Sequence, residues 1–318
     1  MPVGLLGLRA SALRYRFLSR RISTRSFPIA RMGRAEEAVL RLALCQMNVT
    51  SDKETNIATA QTAVERAASA GAHMVVLPEM WNTPYAPANF RPYSEDVSGP
   101  VGSSKSLEAM KVAARENSVT LVAGSLPERD PLSDKLYNTC CVIGPDGNIL
   151  GVHRKAHLFD IDIPGKITFR ESSTLSAGDR ATVIDVPLAS GGSVRVGIGI
   201  CYDMRFAELA QHMSLRQGAQ LLLYPGAFNC VTGPAHWALL QRARALDNQL
   251  FVASCSPARS DEGYQAYGHS MCVGPWGDVL GELDEHEGLL VVDLALSIVE
   301  DVRKQIPLTD QRRVDLYH

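Results

Sequence analysis

One run, Val196-Gly-Ile-Gly-Ile-Cys-Tyr-Asp-Met-Arg-Phe206, constrains this 318-residue chain more than any other. It reads as a buried strand that ends in a cysteine and leads straight into a helix start. Open α/β sheets place their chemistry at the carboxyl ends of core strands. The positive end of the following helix also favours thiolate over thiol. Most cysteines are simply small buried hydrophobes, so the rest of the chain must decide whether Cys201 is a nucleophile.

From Arg41 onward, apolar strand-like runs alternate with helical patterns. Leu42 to Met47 reads as a first strand. Ser51 and Glu54 form a capping box before a helix carrying Ile57, Gln61, Val64 and Ala68. A second strand, Met74 to Leu77, stops at Pro78. A helix over 106–116 and a strand over 120–123 follow. The segments 136–143 and 148–154 read as a hairpin closed by Pro145-Asp-Gly147. The polar stretch 156–181 is expected to be a long functional loop. Strand, helix, strand and helix then recur at 194–200, 205–217, 220–224 and 235–247. Late strands lie near 250–255, 269–273 and 288–293, with a turn at 274–278 between the last two. No internal repeat is present, so residues 38–318 read as one α/β domain.

Charge is unevenly placed. The first 35 residues hold eight arginines and no acid, and without those charges the remainder carries −10 against −2 for the whole chain. The acidic remainder argues against a nucleic-acid or anionic-membrane surface as partner. The first 35 residues, Arg- and Ser-bearing and free of acid, have the composition of an organelle transit peptide, which residues 1–37 are expected to be, with a plain basic tail as the bland alternative. Mitochondrion or plastid is therefore expected if the segment is a presequence, and cytoplasm otherwise. Met32 offers an internal start. No run of about 18 apolar residues suggests a membrane span. Seven dispersed cysteines, with no C-x-x-C pair and no metal-like spacing to histidine, point to a reducing compartment and no metal centre.

Two further strand ends carry reactive side chains: Val75-Val-Leu-Pro-Glu79 and Gly151-Val-His-Arg-Lys155. A carboxylate, an amine and a thiol at strand ends are expected to converge at one sheet edge. Singly each is weak; in this order they are specific. The contexts L-P-E at Leu77–Glu79, R-K-x-H-L at Arg154–Leu158 and G-x-x-I-C-Y-D-x-R-F at Gly197–Phe206 resemble the nitrilase, or carbon–nitrogen hydrolase, superfamily over nearly everything after residue 37. The resemblance implies a four-layer α-β-β-α sandwich, a homodimer formed through helices, and no cofactor. It implies that Cys201 attacks an amide carbon, Glu79 is the general base, and Lys155 holds the oxyanion with help from the Tyr202 N–H. A second glutamate, matched by Glu171 in Phe169-Arg-Glu-Ser172, would position substrate or base. His153 and His157 raise a Cys–His reading, but in this family the histidine at 157 supports the loop. A pseudoenzyme would need a lost catalytic position, and none is lost.

Within the family, Asn82–Tyr85, Leu158–Phe169, Tyr224–Asn229, Thr232–Trp237, Asp247–Gln249 and Ser254–Arg259 are most similar to the branch that hydrolyses the terminal amide of 2-oxoglutaramate and 2-oxosuccinamate. The alternative branch acts on deaminated glutathione. A true nitrilase, or a transferase using the same thioester, is a further alternative. A small anionic keto-acid amide needs a cation or several hydrogen bonds at its far end. Tyr85, Tyr202, Arg205, Phe228, Asn229 and Thr232 are the candidate substrate-binding residues. Arg205 has two readings: an ion pair with Asp203 that fixes the turn, or a ligand for the substrate carboxylate. The helix after Phe206, with Ala207, Leu209, Ala210, Met213 and Leu215, is the candidate dimer face.

Overall fold

The computed structural model describes residues 38–189, 191–260 and 263–316. The expected presequence over 1–37 lies outside them. In chain order, β1 (Val39–Gln46), β2 (Met74–Val76), β3 (Thr120–Val122), β4 (Leu126–Arg129), β5 (Leu136–Ile143) and β6 (Ile149–Arg154) belong to a first sheet. β7 (Asp160–Ile163) and β8 (Ile167–Arg170) form a separate hairpin. β9 (Thr182–Pro187), β10 (Ser193–Ile198), β11 (Leu221–Pro225), β12 (Phe251–Cys255), β13 (Met271–Val273) and β14 (Val279–Glu282) make a second sheet. The last strand, β15 (Gly288–Ala295), returns to the first sheet beside β1.

Both sheets are mixed. β1, β2 and β3 run parallel, as do β10, β11 and β12; their outer neighbours are antiparallel. The period of two then sorts the side chains. Leu40, Leu42 and Leu44 of β1 join Val194, Val196 and Ile198 of β10 in the core between the sheets. Ala43 and Cys45 point the other way, onto α1 (Lys53–Ser69) and, after α2 (Pro87–Tyr93), α3 (Lys105–Glu116). Residues of α4 (Ala207–Gln211) and α5 (Gly233–Asn248) join the core of the second sheet, and α5 lies against β12 and β13. The result is the expected sandwich: helices, sheet, sheet, helices. Two C-terminal helices, α6 (Ser297–Gln305) and α7 (Leu308–Gln311), close the described chain.

Several local expectations are corrected. The cap of α1 is Asp52, one residue later than expected; its carboxylate accepts from Thr55 N at 2.8 Å. Ser51 instead offers its carbonyl to Tyr93 Oη. The stretch 156–181 is not a plain loop, because its Asp160-Ile-Asp-Ile163 alternation pairs with Ile167–Arg170. β4, β9, β14, α2 and α6 are additional elements. The helix expected over 205–217 is preceded by a 3-10 turn at Cys201–Arg205, and α4 continues through a π-wound turn at His212–Arg216.

Candidate active site

Glu79 follows β2, Lys155 follows β6 and Cys201 lies just beyond β10, so the three groups come from two sheets rather than one sheet edge. β6 and β9 meet across the gap between the sheets. A Cβ built on Gly151 would stand 2.4 Å from the Ile184 side chain, so glycine lets the strands approach without displacing it. The segment carrying Glu79 is seated on the β3–β4 connection. Met80 N donates to Ser125 Oγ at 3.1 Å and Trp81 Nε1 to Ala123 O at 2.7 Å. Gly124, at φ +57°, has Pro78 O only 2.1 Å from where a Cβ would lie.

Lys155 is fully buried between two carboxylates. Its Nζ donates to Glu79 Oε1 at 2.9 Å and to Glu171 Oε1 at 3.0 Å, and Glu171 Oε2 is 2.9 Å away. The remaining carboxylate sites are also satisfied. Asn138 Nδ2 donates to Glu79 Oε1 at 2.8 Å, and Ala227 N to Glu79 Oε2 at 2.8 Å. Tyr85 Oη donates to Glu171 Oε1 at 2.7 Å and lies 3.3 Å from Glu79 Oε1. Phe159 N donates to Glu171 Oε2 at 2.6 Å. The β7–β8 hairpin thus serves to deliver Glu171, which opens the 3-10 turn after it.

Burial alone lowers the Lys155 pKa, but Glu171 and Glu79 outweigh it and hold the group well above an ordinary lysine. Burial is also the largest effect on Glu79, whose pKa is raised; Lys155 opposes and Glu171 adds to the rise. Cys201 is 4% exposed. Burial first, then the Glu79 charge, push its thiol far above the usual value, and Lys155 only partly opposes them. These effects oppose the thiolate that a helix start would favour. The following turn is only five residues long, and desolvation beside a carboxylate overrides its dipole. A thiol beside a carboxylate of raised pKa is the arrangement that a nucleophile and its base require.

The turn itself is held in a left-handed conformation, with Cys201 at φ +47°. For a non-glycine residue this costs about 1–2 kcal/mol, so something must fix it. Asp203, fully buried, does so. Its Oδ2 accepts from Ile200 N at 2.9 Å and lies 3.2 Å from His153 Nε2. Its Oδ1 accepts from His157 N at 2.9 Å and lies 2.8 Å from His157 Nδ1. The two histidines stand two residues either side of Lys155, so one carboxylate locks the nucleophile turn to the Lys155 segment. Burial raises the Asp203 pKa, yet the hydrogen bonds from His153 and His157 prevail and hold it below the usual range. This corrects the expected Asp203–Arg205 ion pair: Asp203 faces the histidines, and Arg205 turns toward α5. Both histidines support the turn.

The candidate substrate-binding residues divide into groups. Tyr85 touches both carboxylates. The Tyr202 ring packs 5.3 Å from Phe159 and 5.6 Å from Phe206. The Arg205 guanidinium lies 4.6 Å from the Phe228 ring centroid and 5.5 Å from that of Tyr202. Asn229 Oδ1 accepts from Val231 N and Thr232 N, both at 2.9 Å, while its buried Nδ2 has no partner. Thr232 leads into α5 with its hydroxyl 3.3 Å from Asn229 Oδ1. Two residues were not anticipated. Asn138 sits on the inward face of β5 with Leu136, Cys140 and Val142, and a polar residue breaking such an apolar alternation was a readable signal. Tyr264 donates to Ala227 O at 2.5 Å and packs 4.6 Å from Tyr85; no local pattern marks it.

A cavity of about 160 Å³ opens here, lined by Glu79, Tyr85, Ala227, Pro257 and Tyr264 among others. A larger groove of about 500 Å³ lies between α1 and the β1–β15 edge, but none of the candidate site residues lines it. Among the described residues no group of three His, Cys, Asp or Glu side chains is arranged to hold a metal. No helix among them is long and apolar enough to cross a membrane.

This chain belongs to the carbon–nitrogen hydrolase family, whose pattern it matches over residues 41–304. It is 52% identical over 281 residues to the omega-amidase NIT2 of Mus musculus, covering 88% of this chain and 97% of that protein. It is 52% identical over 277 residues to the chloroplastic omega-amidase of Arabidopsis thaliana, covering 87% of this chain and 73% of that protein. Among solved structures, Saccharomyces cerevisiae Nit3, a member of branch 10 of the nitrilase superfamily, superimposes with a TM-score of 0.78 at 43% identity, covering 87% of this chain and 97% of that one.

The protonation pattern predicts a sign. Thiolate ultraviolet absorbance from Cys201 should be missing at neutral pH and emerge only in strong alkali. Glu79→Gln removes a negative charge that raises the thiol pKa, so thiolate should form at lower pH in that variant while amide turnover is lost. A lower Cys201 pKa in the unsubstituted protein than in Glu79→Gln would contradict this arrangement.

Proposed function

We propose that this chain is an omega-amidase, hydrolysing the terminal amide of 2-oxoglutaramate and 2-oxosuccinamate to 2-oxoglutarate or oxaloacetate and ammonia. The observation that carries the reading is the Glu79–Lys155–Glu171 cluster around Cys201, in a chain that shares half its residues with omega-amidases.

The mechanism follows from the contacts. Glu79 takes the proton of Cys201 as sulfur adds to the amide carbon. The carbonyl π electrons move onto oxygen, and the Lys155 ammonium and the Tyr202 N–H stabilise the oxyanion. As the oxyanion collapses, the C–N bond breaks, and Glu79 returns the proton to nitrogen, releasing ammonia and leaving a thioester. Glu79 then takes a proton from water as that water adds to the thioester; C–S cleavage releases the acid and the proton goes back to sulfur. Glu171 keeps Lys155 charged and aimed, which its role requires. Arg205, whose buried Nε has no hydrogen-bond partner, receives the substrate carboxylate. Asn229 Nδ2, also without a partner, is a second donor for the far end of the substrate.

The assembly we propose is a homodimer, through a different surface from the one the sequence suggested. Ala210 and Met213 lie in the protein's own core. The available apolar face is on α5, where Leu239 is 66% and Leu246 44% exposed, beside Trp276 at 46%. Leu246 packs against Gly277 of the 274–278 turn, which makes this face continuous with Trp276. Residues 1–37 are proposed as an organelle presequence; that one relative is named chloroplastic supports a plastid address.

Side-by-side assay of the purified protein should give higher kcat/KM on 2-oxoglutaramate than on deaminated glutathione, with ammonia release exceeding hydroxamate formation when hydroxylamine is present. Cys201→Ala should lose at least about 10³-fold in turnover, as loss of a covalent nucleophile requires. A preference for deaminated glutathione would move the chain to that branch, and retained activity in Cys201→Ala would discard the mechanism. Sedimentation should show a dimer that Leu239→Asp converts to monomer; an unsubstituted monomer would refute the interface. A fluorescent reporter carrying residues 1–37 should enter an organelle, and diffuse cytoplasmic signal would refute the presequence.

A further inference from the structure

Arg205 is held in an unusual way for a buried-edge cation. Its backbone is fixed, because Arg244 of α5 donates to Met204 O at 2.9 Å and to Arg205 O at 3.0 Å. Its guanidinium lies near two aromatic rings, Phe228 and Tyr202. Phe228 follows Ala227, whose N–H holds Glu79, and Tyr202 follows Cys201. The head group is thus tied to both sides of the reacting centre. Guanidinium carries five donors in a fixed fork. Among the described residues its one hydrogen-bond acceptor is His236 Nδ1, 3.1 Å from Nη1, and Nε is buried with none. Buried donors without acceptors are costly unless a ligand completes them, and a carboxylate is the planar partner that accepts two parallel bonds from Arg.

The acceptor is informative. The guanidinium only donates, so this pairing uses the tautomer whose ring proton sits on Nε2. His236 sits in the first turn of α5, where its own N–H donates to Thr232 O at 2.9 Å. A short, helix-anchored side chain therefore stops the guanidinium from rotating about its long stem. It occupies the Nη1 edge and leaves Nε and Nη2 for an incoming anion.

We infer that His236 is a positioning residue for substrate specificity: it fixes the rotation of Arg205 so that the free edge of the fork meets the carboxylate of an anionic amide. The inference rests on the proposed keto-acid amidase reading and deepens it, since it assigns the preference for anionic over neutral amides to a pair of side chains. His236 does not touch the reacting atoms, so its loss should leave the chemical step intact.

The test compares 2-oxosuccinamate with the neutral amide butyramide in unsubstituted enzyme, His236→Leu and His236→Asn. Leucine fills the space without an acceptor, whereas the Asn oxygen stands near the place of Nδ1. His236→Leu should raise KM for 2-oxosuccinamate about tenfold, the size expected for one charge-assisted hydrogen bond. Its kcat should stay within about twofold, and butyramide kinetics, which also report on folding, should be unchanged. His236→Asn should recover most of the lost affinity. Equal changes for both amides, or none, overturn the inference while leaving the amidase reading intact. If the unsubstituted enzyme does not prefer the anionic amide, the substrate reading falls and the inference falls with it.

Discussion

The structure turns on one buried ammonium. Removing Lys155 from water carries a penalty of several kcal/mol, and a buried ion pair offsets it only when geometry and leftover hydrogen bonds are both good. Here two carboxylates meet the ammonium at 2.9–3.0 Å, and side-chain or main-chain donors complete them. Those donors come from β5, the residues after β11, the segment before α2 and the segment before β7. Each partner thus imposes a fold-level demand. The β7–β8 hairpin must form for Glu171 to arrive, β6 must lie close over β9 for Lys155 to face Cys201, and Gly124 must let the Glu79 segment settle on the β3–β4 connection. Burial first, and then the carboxylate charge of Glu79, favour the neutral form of the Cys201 thiol beside this cluster.

The nucleophile turn answers to the same region. A left-handed cysteine is strained, and the strain persists because Asp203 overdetermines the turn. Since the partners of Asp203 flank Lys155 in sequence, the position of the thiol and the position of the ammonium are set by one carboxylate. Distance between nucleophile and oxyanion partner is therefore a property of a hydrogen-bonded unit spanning both sheets. It does not depend on the loops around the pocket, which can vary with substrate.

What the sequence could disclose follows from the range of each interaction. The alternating core strands and the three reactive strand ends are local patterns, and local patterns are legible. The Asp160–Ile163 and Thr182–Pro187 alternations were equally local, but polar residues and Pro164-Gly165 made the first look like loop. Asn138 was legible as a polar break in the alternation of β5, but its partner lies 59 residues away and that of Tyr264 lies 37 away, and no period reports such contacts. Cys201 shows another limit: helix-end electrostatics can be read from order along the chain, while desolvation and a carboxylate from a different sheet cannot. The Asp203–Arg205 pair failed because a tight 3-10 turn sends the two side chains to opposite faces.

That divergence separates chemistry from recognition. Asp203 points inward and governs where sulfur stands; Arg205 points toward α5 and ends near the start of that helix. In the proposed reading the two roles share one five-residue turn, so the thiol and the cation assigned to the far carboxylate are rigidly related. A substrate whose carboxylate and amide fit that fixed separation is oriented without movement of the turn. Orientation obtained from preformed contacts lowers the entropic part of the barrier. In that reading a neutral amide reacts at the same sulfur but forgoes this alignment. Discrimination between small amides then follows from geometry set by the backbone of this turn, around which Phe159, Tyr202 and Phe206 pack.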